Sequence, residues 1–324
     1  MSSVRPTLMT HPGWCENLVK ASGLKAGERV LVTVDEPLAE AGAQLAAAVK
    51  DAGGEPRLEL WAGERPMSNA PAGVLEGAQT ADVSLFLSQA PRGDEADARF
   101  QLMETVVGHG GRQIYMGLVD SELLAGELSQ PQPDLSDAAR TLIADVKDAE
   151  TIRIRGRAGT DLTLRVGGRP WKTDAGELEP GEGGNFPGGE IFVAPHADGA
   201  DGVLVADLTV PYTVDGLVDE PVTMRFEGGR VTSIEGGRAA DMFRELVEGA
   251  GKGADVIAEL GIGLNHSVTP RGHVMLDEKA GGTAHVAIGR NTGIYGGDNE
   301  ANIHVDCIFS GPELEVDGRP VPIP

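Results

Sequence analysis

Four short apolar runs open the chain, each separated from the next by a stretch long enough for a helix. This rhythm restricts the fold more than any other feature. Arg29–Val34 (RVLVTV) is the first run, followed by Pro56–Trp61 (PRLELW), Val83–Leu87 (VSLFL) and Arg112–Met116 (RQIYM). After the first run, Asp35 stands where a helix cap belongs. Pro37–Asp51 then carries Leu38, Ala41, Leu45, Ala48 and Val49 at helical spacing, and Gly53-Gly54 ends it. Phe100–Val107 reads as a helix ahead of the fourth run. Strands alternating with helices predict a parallel sheet with right-handed crossovers, so residues 1–133 are expected to form a Rossmann-like domain. The segment holds neither GxGxxG nor GxxxxGK[ST], and Gly108-His109-Gly110-Gly111 reads as a plain connector, so nucleotide binding gains little support.

The texture changes after the linker-like Gln130–Asp134 (QPQPD) and a helix over Leu135–Lys147. From Thr151 onward short alternating runs dominate. IRIRGRAGTDLTLRV is a hairpin candidate, and GVLVADLTV and PVTMRFEGGRVTSIEGG follow, interrupted by one helix over Ala239–Gly249. The expected class is therefore α/β: an N-terminal Rossmann-like parallel-sheet domain, then a β-rich α+β domain over 134–324 carrying a metal site.

Charge narrows the partners. Lys and Arg number 27 against 50 Asp and Glu, a net charge of −23, which would repel nucleic acid and anionic membranes over most of the surface. Two cysteines make no disulfide framework and no CxxC zinc site, and the opening MSSVRPTLMTHPGW lacks an apolar leader. No run approaches the length of a membrane span. The expectation is a cytoplasmic protein acting on a small molecule or short peptide.

Four segments of the second half set acidic or His side chains beside glycines. Glu190 follows Pro187-Gly188-Gly189 and opens the apolar IFV. In VIAELGIGLNH, period-2 geometry puts Val256, Ala258, Leu260, Ile262 and Leu264 on one face, and Glu259 on the other beside Gly261 and Gly263. His285 lies in DEKAGGTAHVAIG, and His304 and Asp306 in IHVDCIF. On a strand His304 and Asp306 share a face while Ile303, Val305 and Cys307 turn to the core, an arrangement suited to Zn(II), Mn(II), Co(II) or Fe(II). HxD alone is a weak signal. Several carboxylates on apolar strands strengthen it, because a shared metal offsets buried charges together. His266 lies close enough to the second segment for substrate contact or ligation. Asp277-Glu278-Lys279 reads either as a solvated charge run or, through Lys279, as a group that pairs with or polarises something at the metal.

Together, PGGE-IFVAP, AELGIG, DEKAGGTAHVAIG and HVD, in that order, resemble the motif series of the aminopeptidase T family of metallopeptidases. The resemblance implies two divalent metals (Zn, Co or Mn), a homodimer, and Glu190, Glu259, His285, His304 and Asp306 as ligands. That family's tyrosine, seven residues after its first ligating His, falls here on Thr292, with Tyr295 the nearest tyrosine and a candidate substrate contact. The same superfamily includes 2,5-dihydroxypyridine 5,6-dioxygenase, an Fe(II) enzyme with a two-His, one-carboxylate triad. For that chemistry His304, Asp306 and either His285 or His266 would be the ligands.

Two readings follow. In a hydrolase, two metals bridged by Asp306 or Glu190 would activate water, with Glu278 moving the proton to the leaving amine. In an oxygenase, one Fe(II) would keep positions open for O2 and an aromatic substrate. Five ligands, three of them carboxylates, favour the hydrolase. The departure at Thr292 and the short chain favour the oxygenase.

Overall fold

The computed structural model describes residues 11–89 and 95–324. The first ten residues of the stretch read above for a leader lie outside them. The N-terminal half alternates α1 (Gly13–Ala21), β1 (Arg29–Asp35), α2 (Ala39–Asp51), β2 (Glu55–Trp61), α3 (Ala72–Ala78), β3 (Val83–Leu87), α4 (Ala96–Val107), β4 (Arg112–Met116), α5 (Ser121–Ala125) and α6 (Ser136–Val146). Strands β2, β1, β3 and β4 lie side by side and parallel. Val30, Val32 and Val34 join Leu45 and Val49 of α2 in one apolar cluster. Leu31 and Phe86 join Val74 of α3 and Leu102 of α4 in another. A strand covered on both faces has no polar side to show, which is why β1 and β3 are almost continuously apolar. Asp35 caps no helix; its carboxylate accepts hydrogen bonds from Ser88 Oγ (2.9 Å) and the Gln89 N–H (2.8 Å), tying the ends of β1 and β3 together. Helices α3 and α5 escape the sequence reading because each has seven residues or fewer.

The second half contains β5 (Thr151–Arg155), β6 (Asp161–Arg165), β7 (Lys172–Thr173), β8 (Gly183–Asn185), β9 (Glu190–Val193), β10 (Ala200–Ala206), β11 (Val222–Glu227), β12 (Arg230–Glu235), α7 (Arg238–Ala250), β13 (Ile257–Gly263), α8 (Val274–Asp277), β14 (Thr283–Gly289), β15 (His304–Ser310), β16 (Glu313–Val316) and β17 (Arg319–Val321). The hairpin foreseen from Thr151 is the β5–β6 pair. Two antiparallel sheets form, ordered β12-β11-β10-β6-β5-β16-β17 and β15-β14-β13-β9-β7. Their facing residues make one core: Ile152, Ile154, Leu162 and Leu204 from the larger sheet meet Leu260, Ile262, Val286, Val305 and Cys307 from the smaller.

One strand crosses the boundary placed at residue 133. Strand β8 pairs in parallel with β4 and completes the N-terminal sheet as β2-β1-β3-β4-β8. Leu178, Phe186, Leu276 and Ala280 also join the N-terminal core. The sequence of β8, Gly-Gly-Asn, has no β-branched or aromatic residue, so nothing in it announces a strand. No helix among the described residues is long and apolar enough to cross a membrane.

Candidate metal centre

The smaller antiparallel sheet buries one face in the core and turns the other toward a cavity of about 1050 Å³, whose opposite wall includes Phe100, Met103 and Tyr115 of the N-terminal half. Opposed residues in such a sheet share a face. Gly261 faces His285, Ala287 faces Asp306, Gly289 faces His304, and Gly263 faces Glu190. Glu190, His285, His304 and Asp306 are thereby gathered on the cavity side. Glu259 lies there too, opposite Ala287 and in step with Gly261 and Gly263, and the departure from alternation falls just before it. The β13–β14 register slips between Ile257 and Glu259, so Ile257 turns into the core although it shares Glu259's parity. Asn291 Nδ2 donates to the carbonyl of Ala258 inside this bulge (3.3 Å). Bulges re-aim side chains beside functional sites.

Two overlapping groups of ligand atoms result: Glu190, Glu259 and His285, and Glu259, His304 and Asp306. Within each, the atoms lie within 4.8 Å of one another. Glu259 belongs to both, so the carboxylate common to the two groups is neither Asp306 nor Glu190. Its Oε2 is 3.2 Å from His304 Nε2, and its Oε1 is 3.7 Å from His285 Nε2. His285 Nε2 also approaches Glu190 Oε2 at 3.4 Å and Asp306 Oδ1 at 3.9 Å. His304 Nδ1 donates to the Arg290 carbonyl (2.6 Å), which fixes the proton there and leaves Nε2 aimed at Glu259 and Asp306. Metal-ligating histidines are typically oriented this way by a backbone carbonyl.

The donor set fits divalent cations. Two imidazoles and three carboxylates offer the mixed N/O ligation of Zn, Co, Mn or Fe. Glu190 Oε2 and His285 Nδ1 are buried without a hydrogen-bond partner. Of five buried or half-buried carboxylates here, those of Asp174, Glu190 and Glu278 contact the ammonium of Lys279, while those of Glu259 and Asp306 approach His285. With neutral imidazoles, four negative charges remain for cations to offset.

Protons replace those cations in the metal-free chain. Burial alone would lower the pKa of His285, but Glu190, Glu259 and Asp306 overcome it and hold the ring's pKa up at about 10. His304 is raised by the same contest, with burial opposed by Tyr295, Asp306 and Glu259. Burial also works against the charged form of Asp306, yet its imidazole neighbours keep it below the usual carboxylate range. A histidine with a higher pKa in the folded chain binds its proton more tightly there. Its contribution to metal-free stability is therefore complete below its ordinary value of 6.5 and lost as pH rises toward about 10. The urea midpoint of EDTA-treated protein should fall across that window, and metal should bind with proton release, more tightly at higher pH.

The Asp277-Glu278-Lys279 run is buried, not solvated. Lys279 is fully buried and contacts Glu190, Asp174 Oδ2 (3.0 Å) and Glu278 Oε1 (3.0 Å). It pairs with Glu190 from behind the ligands and does not line the cavity, where a substrate contact would have to stand. Asp277 accepts from Thr209 Oγ1 (2.6 Å) and from the N–H groups of Arg271 (2.9 Å) and Gly272 (2.7 Å), and fixes the loop before α8. Glu278 does line the cavity, and burial raises its pKa against the opposing pull of Lys279. Asp174 escaped the sequence reading as a lone loop carboxylate. Its Oδ1 accepts from the N–H groups of Gly189 (2.8 Å) and Glu190 (3.1 Å), orienting the start of β9.

His266 is not brought to the site. Its Nε2 lies 3.1 Å from the carbonyl of Pro324, and it does not line the cavity. Tyr295 is at the site, stacked on His304 with ring centroids 4.5 Å apart and edge-on to Phe192. Thr292 instead accepts from Arg290 Nε (3.1 Å). Cys307 is a core residue. Cys15 is buried too, and burial pushes its thiol up to about 12, far from a nucleophile's range.

Gly261 is required by close approach, because a Cβ there would overlap the imidazole of His285. Gly261→Ala should displace that ring while the β9–β13–β14 ladder persists. Metal titration by calorimetry should then show weakened binding at the His285 position and little change at the His304–Asp306 position.

Residues 102–322 match a family model described as 2,5-dihydroxypyridine 5,6-dioxygenase. The chain is 29% identical over 181 residues to the 2,5-dihydroxypyridine 5,6-dioxygenase of Pseudomonas putida KT2440, covering 54% of this chain and 47% of that protein. It is also 29% identical over 184 residues to aminopeptidase AmpS of Bacillus subtilis, covering 49% and 43%. The chain thus spans less than half the length of these curated relatives. Among solved structures, the P. putida dioxygenase superposes with a TM-score of 0.76 at 21% identity, over 95% of this chain and 94% of that one. AmpT of Thermus thermophilus does so with a TM-score of 0.67 at 19% identity, over 96% of each. The relatives are enzymes of two kinds that share one scaffold. Matched by the family model over more than half its length, the chain belongs to the NicX family, within the superfamily that the dihydroxypyridine dioxygenase shares with the aminopeptidase T-like enzymes.

Proposed function

We propose that the protein is a dinuclear metal-dependent hydrolase that releases N-terminal residues from short peptides. The observation that carries this reading is the sharing of Glu259 between two three-residue ligand groups. Five donors, three of them carboxylates, exceed what one iron needs, and a carboxylate common to two groups is the layout of a two-metal site. The ions, once bound, would polarise the peptide carbonyl and make water nucleophilic at neutral pH. The chain's own residues supply the rest. Lys279 holds Glu278 by Oε1, leaving Oε2 to take the proton of the attacking water. Glu278 then passes that proton to the amine nitrogen as the C–N bond breaks. Tyr295, stacked on His304, keeps that imidazole in place and narrows the cavity beside it.

A second reading is a mononuclear Fe(II) ring-cleaving oxygenase using His304, Asp306 and His285. It is favoured by the description of the matching family model and by the aromatic wall of Phe100, Phe192 and Tyr295, which suits a flat ring. The test is metal content after anaerobic purification, followed by two assays. Co(II)-, Mn(II)- or Zn(II)-loaded protein should release amine from unblocked aminoacyl anilides, and EDTA should abolish this. Stoichiometric iron with O2 uptake on dihydroxypyridines would overturn the hydrolase.

A further inference from the structure

The cavity holds a feature that the metal chemistry does not use. Strand β8 is the last strand of the N-terminal sheet and, among the described residues, pairs only with β4. All three of its residues, Gly183, Gly184 and Asn185, line the same cavity as the metal ligands. Glycine has no side chain, so the wall at Gly183 and Gly184 is backbone.

The direction of that backbone follows from the bonds on the paired side. The Glu182 carbonyl accepts from the Gln113 N–H (3.1 Å), and the Phe186 N–H donates to the Tyr115 carbonyl (3.3 Å). Alternate residues of a strand point the same way, so Gly184 also faces β4. The N–H and C=O groups of Gly183 and Asn185 therefore point away from it. Among the described residues, nothing pairs with them on that side. An unpaired strand edge is a template for another extended chain.

We infer that the free edge of β8 is a peptide-backbone subsite, on which the substrate beyond its scissile bond lies as an added strand. Three residues of strand span roughly 10 Å, enough for about three residues of substrate. Main-chain pairing of this kind gives affinity without demanding particular side chains. It would make the enzyme tolerant of sequence beyond the first residue while selecting for a chain. The inference rests on the hydrolase reading, since a pyridine ring has no backbone to pair.

The experiment uses the metal-loaded protein and leucyl-tetra-alanine, with each amide beyond the scissile bond N-methylated in turn. Methylation removes a donor and blocks pairing at that residue. Because only alternate residues of a strand face a given edge, sensitivity should alternate. Methylation at every second amide should lower kcat/KM about tenfold, and at the intervening ones by less than about twofold. A uniform kcat/KM through the series would overturn the subsite while leaving the hydrolase intact. Failure to release leucine from the unmethylated parent would remove the hydrolase reading, and the subsite with it.

Discussion

Glu259→Ala should empty both metal positions at once, because its carboxylate serves both ligand groups. Glu190→Ala and Asp306→Ala should each weaken only the position to which that residue belongs. The contrast is read as metal stoichiometry by mass spectrometry after equilibration with Zn(II) or Co(II). Losing an outer partner of a metal ligand costs roughly 10–100-fold in affinity, and loss of a shared ligand should exceed that at both positions. Activity should then fall to background whichever metal-dependent reaction the enzyme performs. If Glu259→Ala retained one full equivalent of metal while Asp306→Ala retained none, the two positions would have to share Asp306 instead. Glu259→Gln sharpens the test. It keeps the shape and one ligating oxygen but removes the charge, so its metal content should lie between those of the alanine variant and the wild type.

Lys279→Met should be the most destabilising single substitution in the second half of the chain. The side chain is fully buried and its ammonium contacts Asp174, Glu190 and Glu278 together. Methionine is similar in volume, so the change removes charge more than packing. Breaking a buried ion pair from one side leaves uncompensated charge and costs about 3–5 kcal/mol. Urea unfolding of the metal-free protein should show the full loss. Metal should restore part of it, since a cation bound at Glu190 replaces some of the missing charge. Adding Glu278→Gln to Lys279→Met should also recover stability, so the two changes together should cost less than the sum of their separate costs. Simple additivity would mean that Lys279 and Glu278 act independently.

The sequence reading captured much of the scaffold for a physical reason. Strands covered on both faces must be apolar throughout, and β1 and β3 therefore announce themselves. The ligand strands alternate cleanly enough that the pattern alone assigns Glu259, His304 and Asp306 a face. What alternation cannot show is a slip in it. The bulge before Glu259 sends Ile257 into the core, against its parity. Nor can a local pattern show what lies behind a ligand. Glu278 and Lys279 sit in a run of three charged residues that looks like surface, and only the long-range contact with β9 buries them. Asp174 and His266 mark the same limit from opposite sides. The first is a loop carboxylate that the fold carries to the site, and the second is a loop imidazole that the fold carries to Pro324.

Strand β8 has a consequence for the order in which the chain can fold. The N-terminal sheet lacks its last strand until residue 185 has left the ribosome, although its other four strands are complete by residue 116. During that interval the open side of β4 is a bare edge beside a buried apolar sheet. A gene fragment ended at the linker near residue 133 would make that interval permanent, and such a product should associate with itself instead of standing as a separate domain. The two halves are synthesised in sequence, yet neither is finished without the other.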